Sequence, residues 1–213
     1  MHGSCFDLHK YGLAIHTSSP DLGLALSDFA GDSRAATWNL GRDLSALLHQ
    51  YLVEFIQPQT WADLAFIAVA RGPGGFTGTR IGVVTARTLA QQLNIPLFAI
   101  SSLAAVAWLD YTQNNIDTIY AVELPAQRGQ VYAAMYQPNN SGLVTVLPES
   151  VMSPDVWQTK LDSWSGYRLI RCANNLGSSV TSILELASLD WQRGLLPDWS
   201  EALPFYGQHP VDN

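Results

Sequence analysis

Seven consecutive apolar residues, Leu64 to Ala70, run into a glycine loop, and the loop runs into a long helical pattern. A strand that is apolar at every position has no polar face to give to water. It belongs at the centre of a sheet covered on both sides. The loop and helix, ARGPGGFTGTRIGVVTARTLAQQL from Ala70 to Leu93, carry five glycines between Gly72 and Gly82. Strand, tight loop and helix in that order make this an α/β chain.

The same grammar extends in both directions. Tyr11 to Ile15 reads as a buried strand, HTSSPD as a turn, and Leu22–Ser27 and Ser33–Trp38 as two returning strands. Leu44, Leu47, Leu48, Tyr51, Leu52, Phe55 and Ile56 follow helical spacing, with Asp43 at the positive end and Pro58 beyond the close. After the glycine loop the helix runs to Gln92, and Leu97–Ile100 is a strand. Ser101 or Ser102 caps a further helix through Trp108. Strand, short loop, strand, turn, strand then recurs at Ile119–Leu124, Val131–Tyr136 and Leu143–Leu147. The echo is topological and predicts two related lobes on mixed sheets, divided as 1–103 and 104–213. Beyond Pro154 the pattern weakens to one helix at Leu176–Leu189 and an extended tail from Leu196.

The loop admits two readings. A phosphate-binding P-loop needs GxxxxGK[ST], and no lysine is present; a dinucleotide fingerprint needs GxGxxG, and Thr77 stands where the third glycine belongs. A helix start is still a generic anion site. The packing reading is stronger. Gly78, Gly82, Ala86 and Ala90 recur every fourth residue and form a stripe without bulk, on which a second helix can approach closely. Arg80, Val84 and Arg87 share a neighbouring face. The stripe has two available places, inside its own lobe or against a partner's helix.

Only 14% of residues are charged, against 47% hydrophobic. A solitary domain carries about a quarter charged residues, so part of this surface is expected to be covered. The net charge is −7, and the eleven basic residues form no run of three. That argues against an independent grip on a nucleic-acid backbone. No apolar stretch approaches the roughly 20 residues of a membrane span, and the N-terminal MHGSCFDLHK lacks the apolar core of a signal peptide. Cytoplasmic residence is the expectation. Cys5 and Cys172 allow two thiols or one bridge. His2, His9, His16, His49 and His209 show no metal spacing. No GxSxG elbow supports a serine hydrolase.

Three segments resemble one family. GPGGFTGTRIGVVTARTLA is similar to the GPGSFTGLRIG…AKGLA signature of the TsaB (YeaZ) family, LAIHTSS to its opening LAIDTS, and PAQRGQVY to its DARRGEVY. The likeness covers about residues 11 to 136, with a closing LPFY element. It implies an actin-like, ribonuclease-H-like fold with a reduced second lobe. It also implies a non-catalytic subunit that binds and activates TsaD, the transferase that places threonylcarbamoyl on the adenosine beside the anticodon of tRNAs reading ANN codons. The implied partners are TsaD and the ATPase TsaE, with a homodimer through the same helices and tRNA met only within the complex. No cofactor is implied on this chain; ATP and metal belong to the partner subunits. Carried over, the partner-binding residues are His49, Gly78, Arg80, Gly82, Val84, Ala86 and Arg87, on helices at about Arg42–Ile56 and Thr77–Gln92.

There are departures. His16 replaces the usual aspartate of the first strand, and a neutral imidazole is a poor stand-in for a carboxylate near magnesium. Pro125, Gln127 and Gln130 replace Asp, Arg and Glu at the second hairpin. The alternative reading is an actin-like ATP-dependent phosphotransferase or ATPase using the interlobe cleft, and these departures count against it.

Overall fold

The structure is a computed structural model, and it describes residues 11–139, 141–173 and 175–207. Five strands form the first sheet in the order β3 (Ser33–Asn39), β2 (Asp21–Ser27), β1 (Tyr11–His16), β4 (Leu64–Ala70), β5 (Leu97–Ile100). β1 pairs antiparallel with β2 and parallel with β4, and β4 parallel with β5. The all-apolar β4 therefore lies inside the sheet, buried on both faces as its composition requires.

One face is closed by helix α1 (Leu44–Ile56) and helix α2 (Phe76–Leu93). Leu44, Leu48, Leu52 and Ile56 of α1 and Val83, Ala86 and Ala90 of α2 form one core with Leu13, Ile15, Leu24, Ile67 and Val69. The opposite face, Ala14, Ala25, Phe66 and Ala68, is closed by α5 (Val180–Gln192) through Val180, Ile183, Leu184 and Ala187. Chain from beyond residue 104 thus completes the core of the first lobe.

The second sheet repeats the plan with one strand fewer. Its order is β8 (Gly142–Met152), β7 (Val131–Asn139), β6 (Ile119–Pro125), β9 (Tyr167–Arg171), and β6 pairs antiparallel with β7 and parallel with β9. The topological echo is real: β6, β7, β8 and β9 stand to one another as β1, β2, β3 and β4 do. Helix α3 (Ser102–Asn114) lies between the sheets, with Leu103 and Ala107 on the second and Ala105 on the first. Helix α4 (Pro154–Asp162) covers the second sheet's other face through Trp157 and Leu161.

Four readings need correction. Helix α3 runs six residues past Trp108, because Thr112, Asn114 and the left-handed Asn115 supply its real end. β7 and β8 are longer than the alternation suggested. The C-terminal helix starts at Val180, after a single 3-10 turn at Gly177–Ser179. α4 and β9 were not expected at all, although Ser153 and Pro154 give α4 a capping hydroxyl and a proline in its first turn. The tail from Leu196 is extended apart from a 3-10 turn at Trp199–Glu201.

Candidate functional site

The glycine loop is shaped by the turn between β1 and β2. A Cβ on Gly78 would lie 2.1 Å from the Thr17 carbonyl oxygen, and one on Gly82 would lie 2.0 Å from Thr17 Oγ1. Gly74 is equally tight, 2.0 Å from the Ser18 carbonyl oxygen. The contact is hydrogen-bonded as well as close. Thr17 Oγ1 donates to the Gly78 carbonyl at 2.8 Å, and the Gly75 amide donates to the Ser18 carbonyl at 2.7 Å. An amide at the start of α2 that would otherwise serve an anion is therefore already engaged.

This corrects the expectation for the small-residue stripe. Gly82, Ala86 and Ala90 are buried in their own lobe, and Gly78 lies under Thr17. The lack of bulk admits the chain's own turn and sheet, with no room for a foreign helix on that edge. Arg87 is half-buried, with its guanidinium 5.7 Å from the ring centroid of Trp199 in the tail.

The outer faces of α1 and α2 look different. Between them runs a groove of about 680 Å³ lined by His49, Leu52, Val53, Ile81, Val84, Thr88 and Leu89, with Trp61 at one side and Arg80 at the rim. Val53 and Val84 are 52% and 53% exposed. Two half-exposed valines side by side on packed helices are an apolar face, where single exposed apolar residues would need no explanation. Of the residues expected to bind a partner, the structure brings His49, Arg80 and Val84 to this groove. It adds Val53, Leu52, Ile81 and Leu89; Leu52 lay on the apolar spacing of α1, and Val53, beside it on the outer face, was missed.

A second concavity of about 1060 Å³ opens between the lobes. Ser18, Ser19, Gly74, Gly75 and Phe76 line it from one side, and Pro125, Ala126, Gln127 and Tyr132 from the other. Its one charged lining side chain among the described residues is Arg42. The aspartate-like position, His16, is fully buried below this cleft, with Nε2 3.4 Å from Ser18 Oγ; Ser18 Oγ is 2.7 Å from Ser102 Oγ. Burial pulls the His16 pKa down to about 4, so the ring is neutral at physiological pH. Among the described residues no carboxylate lines the cleft, and no group of three His, Cys, Asp or Glu is placed to hold a metal ion. The nucleotide-bound magnesium that an actin-like ATPase positions with its first-strand aspartate does not fit this donor set.

Cys172 is half-buried, and burial pushes its thiol up to about 12, which leaves it unreactive. Cys5, His2, His9 and His209 lie outside the described residues. No helix among the described residues is long and apolar enough to cross a membrane.

Comparison with known proteins gives the family. The family model described as "TsaD: tRNA N6-adenosine threonylcarbamoyltransferase" matches residues 46–182. The chain is 38% identical over 149 residues to the tRNA threonylcarbamoyladenosine biosynthesis protein TsaB of Bacillus subtilis strain 168, covering 67% of this chain and 62% of that one. It is 35% identical to TsaB of Haemophilus influenzae, covering 68% of this chain and 70% of that one. The chain belongs to the TsaB (YeaZ) family.

The fold agrees. YeaZ from Pseudomonas aeruginosa superposes with a TM-score of 0.76 at 24% identity, over 92% of this chain and 99% of that one. The α/β architecture of two mixed sheets, the second with one strand fewer, is therefore that of the YeaZ fold. The matched stretches span 62%, 40% and 45% of the first curated TsaB relatives.

Proposed function

We propose that this chain is the non-catalytic scaffold that binds and activates a TsaD-like subunit in the biosynthesis of threonylcarbamoyladenosine on tRNA. The observation that carries the proposal is the apolar groove between α1 and α2, with Val53 and Val84 about half exposed. The TsaB relatives and the match to the TsaD family model supply the partner's class. The chemistry is the partner's: transfer of threonylcarbamoyl to the adenosine beside the anticodon of tRNAs reading ANN codons. A TsaE-like ATPase joins the assembly, and tRNA is met only within it. ATP and metal reside on the partner subunits.

The groove also accounts for the low charge content. Covering two half-exposed valines and the partly exposed Ile81 and Leu89 removes apolar surface from water, each Å² contributing roughly 25 cal/mol. Arg80 at the rim remains solvated and sets orientation more than affinity. A second copy of this chain could occupy the same groove when no TsaD-like subunit is present. The cleft reading, an ATP-dependent phosphotransferase, finds no carboxylate among the described residues that line the cleft.

The test is co-purification. The unaltered chain is expected to retain a TsaD-like subunit through affinity capture and gel filtration. The double variant Val53→Glu, Val84→Glu is expected to lose it while keeping its circular dichroism. Retention of the partner at micromolar concentration by the folded double variant would reject this surface.

A further inference from the structure

The two lobes also meet at a polar knot apart from the groove, at the start of the glycine loop. Arg71 follows the last residue of β4 in the first lobe, and Glu149 lies on β8 in the second. They form a salt bridge in which the Glu149 side chain is only 8% exposed. The other carboxylate oxygen accepts a hydrogen bond from Ser101 Oγ, the N-cap of α3. With its one proton on Glu149, Ser101 Oγ accepts from the Tyr136 hydroxyl of β7, 3.3 Å away.

The tail crosses the same point. The Phe205 amide donates to the Arg71 carbonyl at 2.7 Å, and the Arg71 guanidinium lies 5.5 Å from the Phe205 ring centroid. One residue on, the Tyr206 carbonyl accepts from the Tyr132 hydroxyl of β7 at 2.9 Å. Gly72 explains how the tail comes so close. Its φ of +98° favours glycine, and a Cβ there would lie 2.4 Å from the Phe205 carbonyl oxygen.

We propose that Arg71, Glu149 and the Phe205–Tyr206 segment form an interlobe lock that holds the two sheets in a single relation. Two-lobed folds commonly hinge about a cleft, and in this chain the polar contacts add to the apolar packing of α3 against both sheets. Here, opening the cleft separates Glu149 from both Arg71 and Ser101. It would leave the buried Glu149 carboxylate without its guanidinium and hydroxyl partners, which is the costly way to break such a pair, while the partly exposed Arg71 could turn to water. It would also pull the tail from one lobe or the other, because successive residues are bonded to opposite sides. The chain therefore presents its first lobe and its cleft as one rigid body, unlike an enzyme that closes on a ligand.

The test uses the full chain and needs no partner. Spin labels go at Thr77→Cys, at the start of α2, and Gln127→Cys, at the tip of the β6–β7 hairpin, in a Cys5→Ala, Cys172→Ala background. Both positions are exposed and face the cleft from opposite lobes. The expected result is one narrow distance distribution, at least doubled in width by Glu149→Gln in a chain whose circular dichroism is unchanged. A distribution already broad in the parent chain overturns the lock, as does an unchanged one in folded Glu149→Gln. Should Glu149→Gln fail to fold, the double variant Phe205→Ala, Tyr132→Phe decides by the same readout: broadening supports the lock, and an unchanged width overturns it.

Discussion

Helix α2 has two faces that the sequence draws with equal emphasis and the structure treats in opposite ways. Along one edge Gly78, Gly82, Ala86 and Ala90 are pressed against Thr17 and the sheet. Two residues beyond Gly82, Val84 stands half in water beside Val53 of α1. Both edges look like places where something should pack. On the inner edge the missing side chains are already filled by the chain itself. On the outer edge the side chains are present and unfilled. On the proposed reading, the partner's surface is marked by apolar bulk that is left bare, whereas the removal of bulk marks a contact already made within the chain.

The sharpest way to break this contrast is to add bulk on the inner edge. Gly82→Leu forces a side chain into Thr17 Oγ1, 2.0 Å from the first added atom. The expected cost is about 3 kcal/mol or more, the upper end of core overpacking. Urea unfolding would register it as a lower midpoint or as insoluble protein. As a probe of partner binding this variant is uninformative, since it destroys the lobe that carries the groove.

Acid should act on the inner side as well. The unfolded chain takes up a proton on His16 near pH 6.5, the folded chain only near pH 4. The unfolded state binds more protons in that window, so stability is full above pH 6.5 and falls as pH drops towards 4. The loss reaches about 3 kcal/mol below it. Denaturation series at stepped pH would measure this, and His16→Gln should flatten the slope.

On the outer edge the expectation reverses. Val53→Glu with Val84→Glu should change stability by less than about 0.5 kcal/mol, as exposed positions do. It should weaken binding of a TsaD-like subunit at least about 100-fold, roughly 2.7 kcal/mol, in a calorimetric titration. Arg80→Ala, at the groove's rim, should weaken binding only a few-fold, with the difference fading at high salt because rim charges are screened.

Most of the fold was legible because it follows from periodicity. Leu64–Ala70 could only be a central strand, α1 and α2 were written in their apolar spacing, and the second sheet's strands repeated the first sheet's plan. What was not legible had weak local signals. β9, YRLIR, is five residues long with arginines inside it and at its end, and it is a strand because β6 pairs with it. α5 reads as a helix, but nothing in its spacing says that it crosses back to cover the first sheet. At the site, His49, Arg80 and Val84 were singled out from the sequence, whereas Val53 lies off the apolar spacing that marked α1 and was not. The role of the glycines was not legible either, because it depends on Thr17, some 60 positions earlier, and such a contact leaves no mark in local sequence.

The central claim is that the partner covers the outer face of α2, and alkylation of a single thiol reads this directly. In a Val84→Cys chain with Cys5→Ala and Cys172→Ala, the thiol is expected to react with a maleimide at the rate of an exposed cysteine when the chain is alone. Addition of a saturating TsaD-like subunit should slow it at least about tenfold, while a cysteine placed at the exposed Thr159 of α4 is unaffected. An unchanged rate at Val84→Cys in a complex shown to have formed would contradict the account.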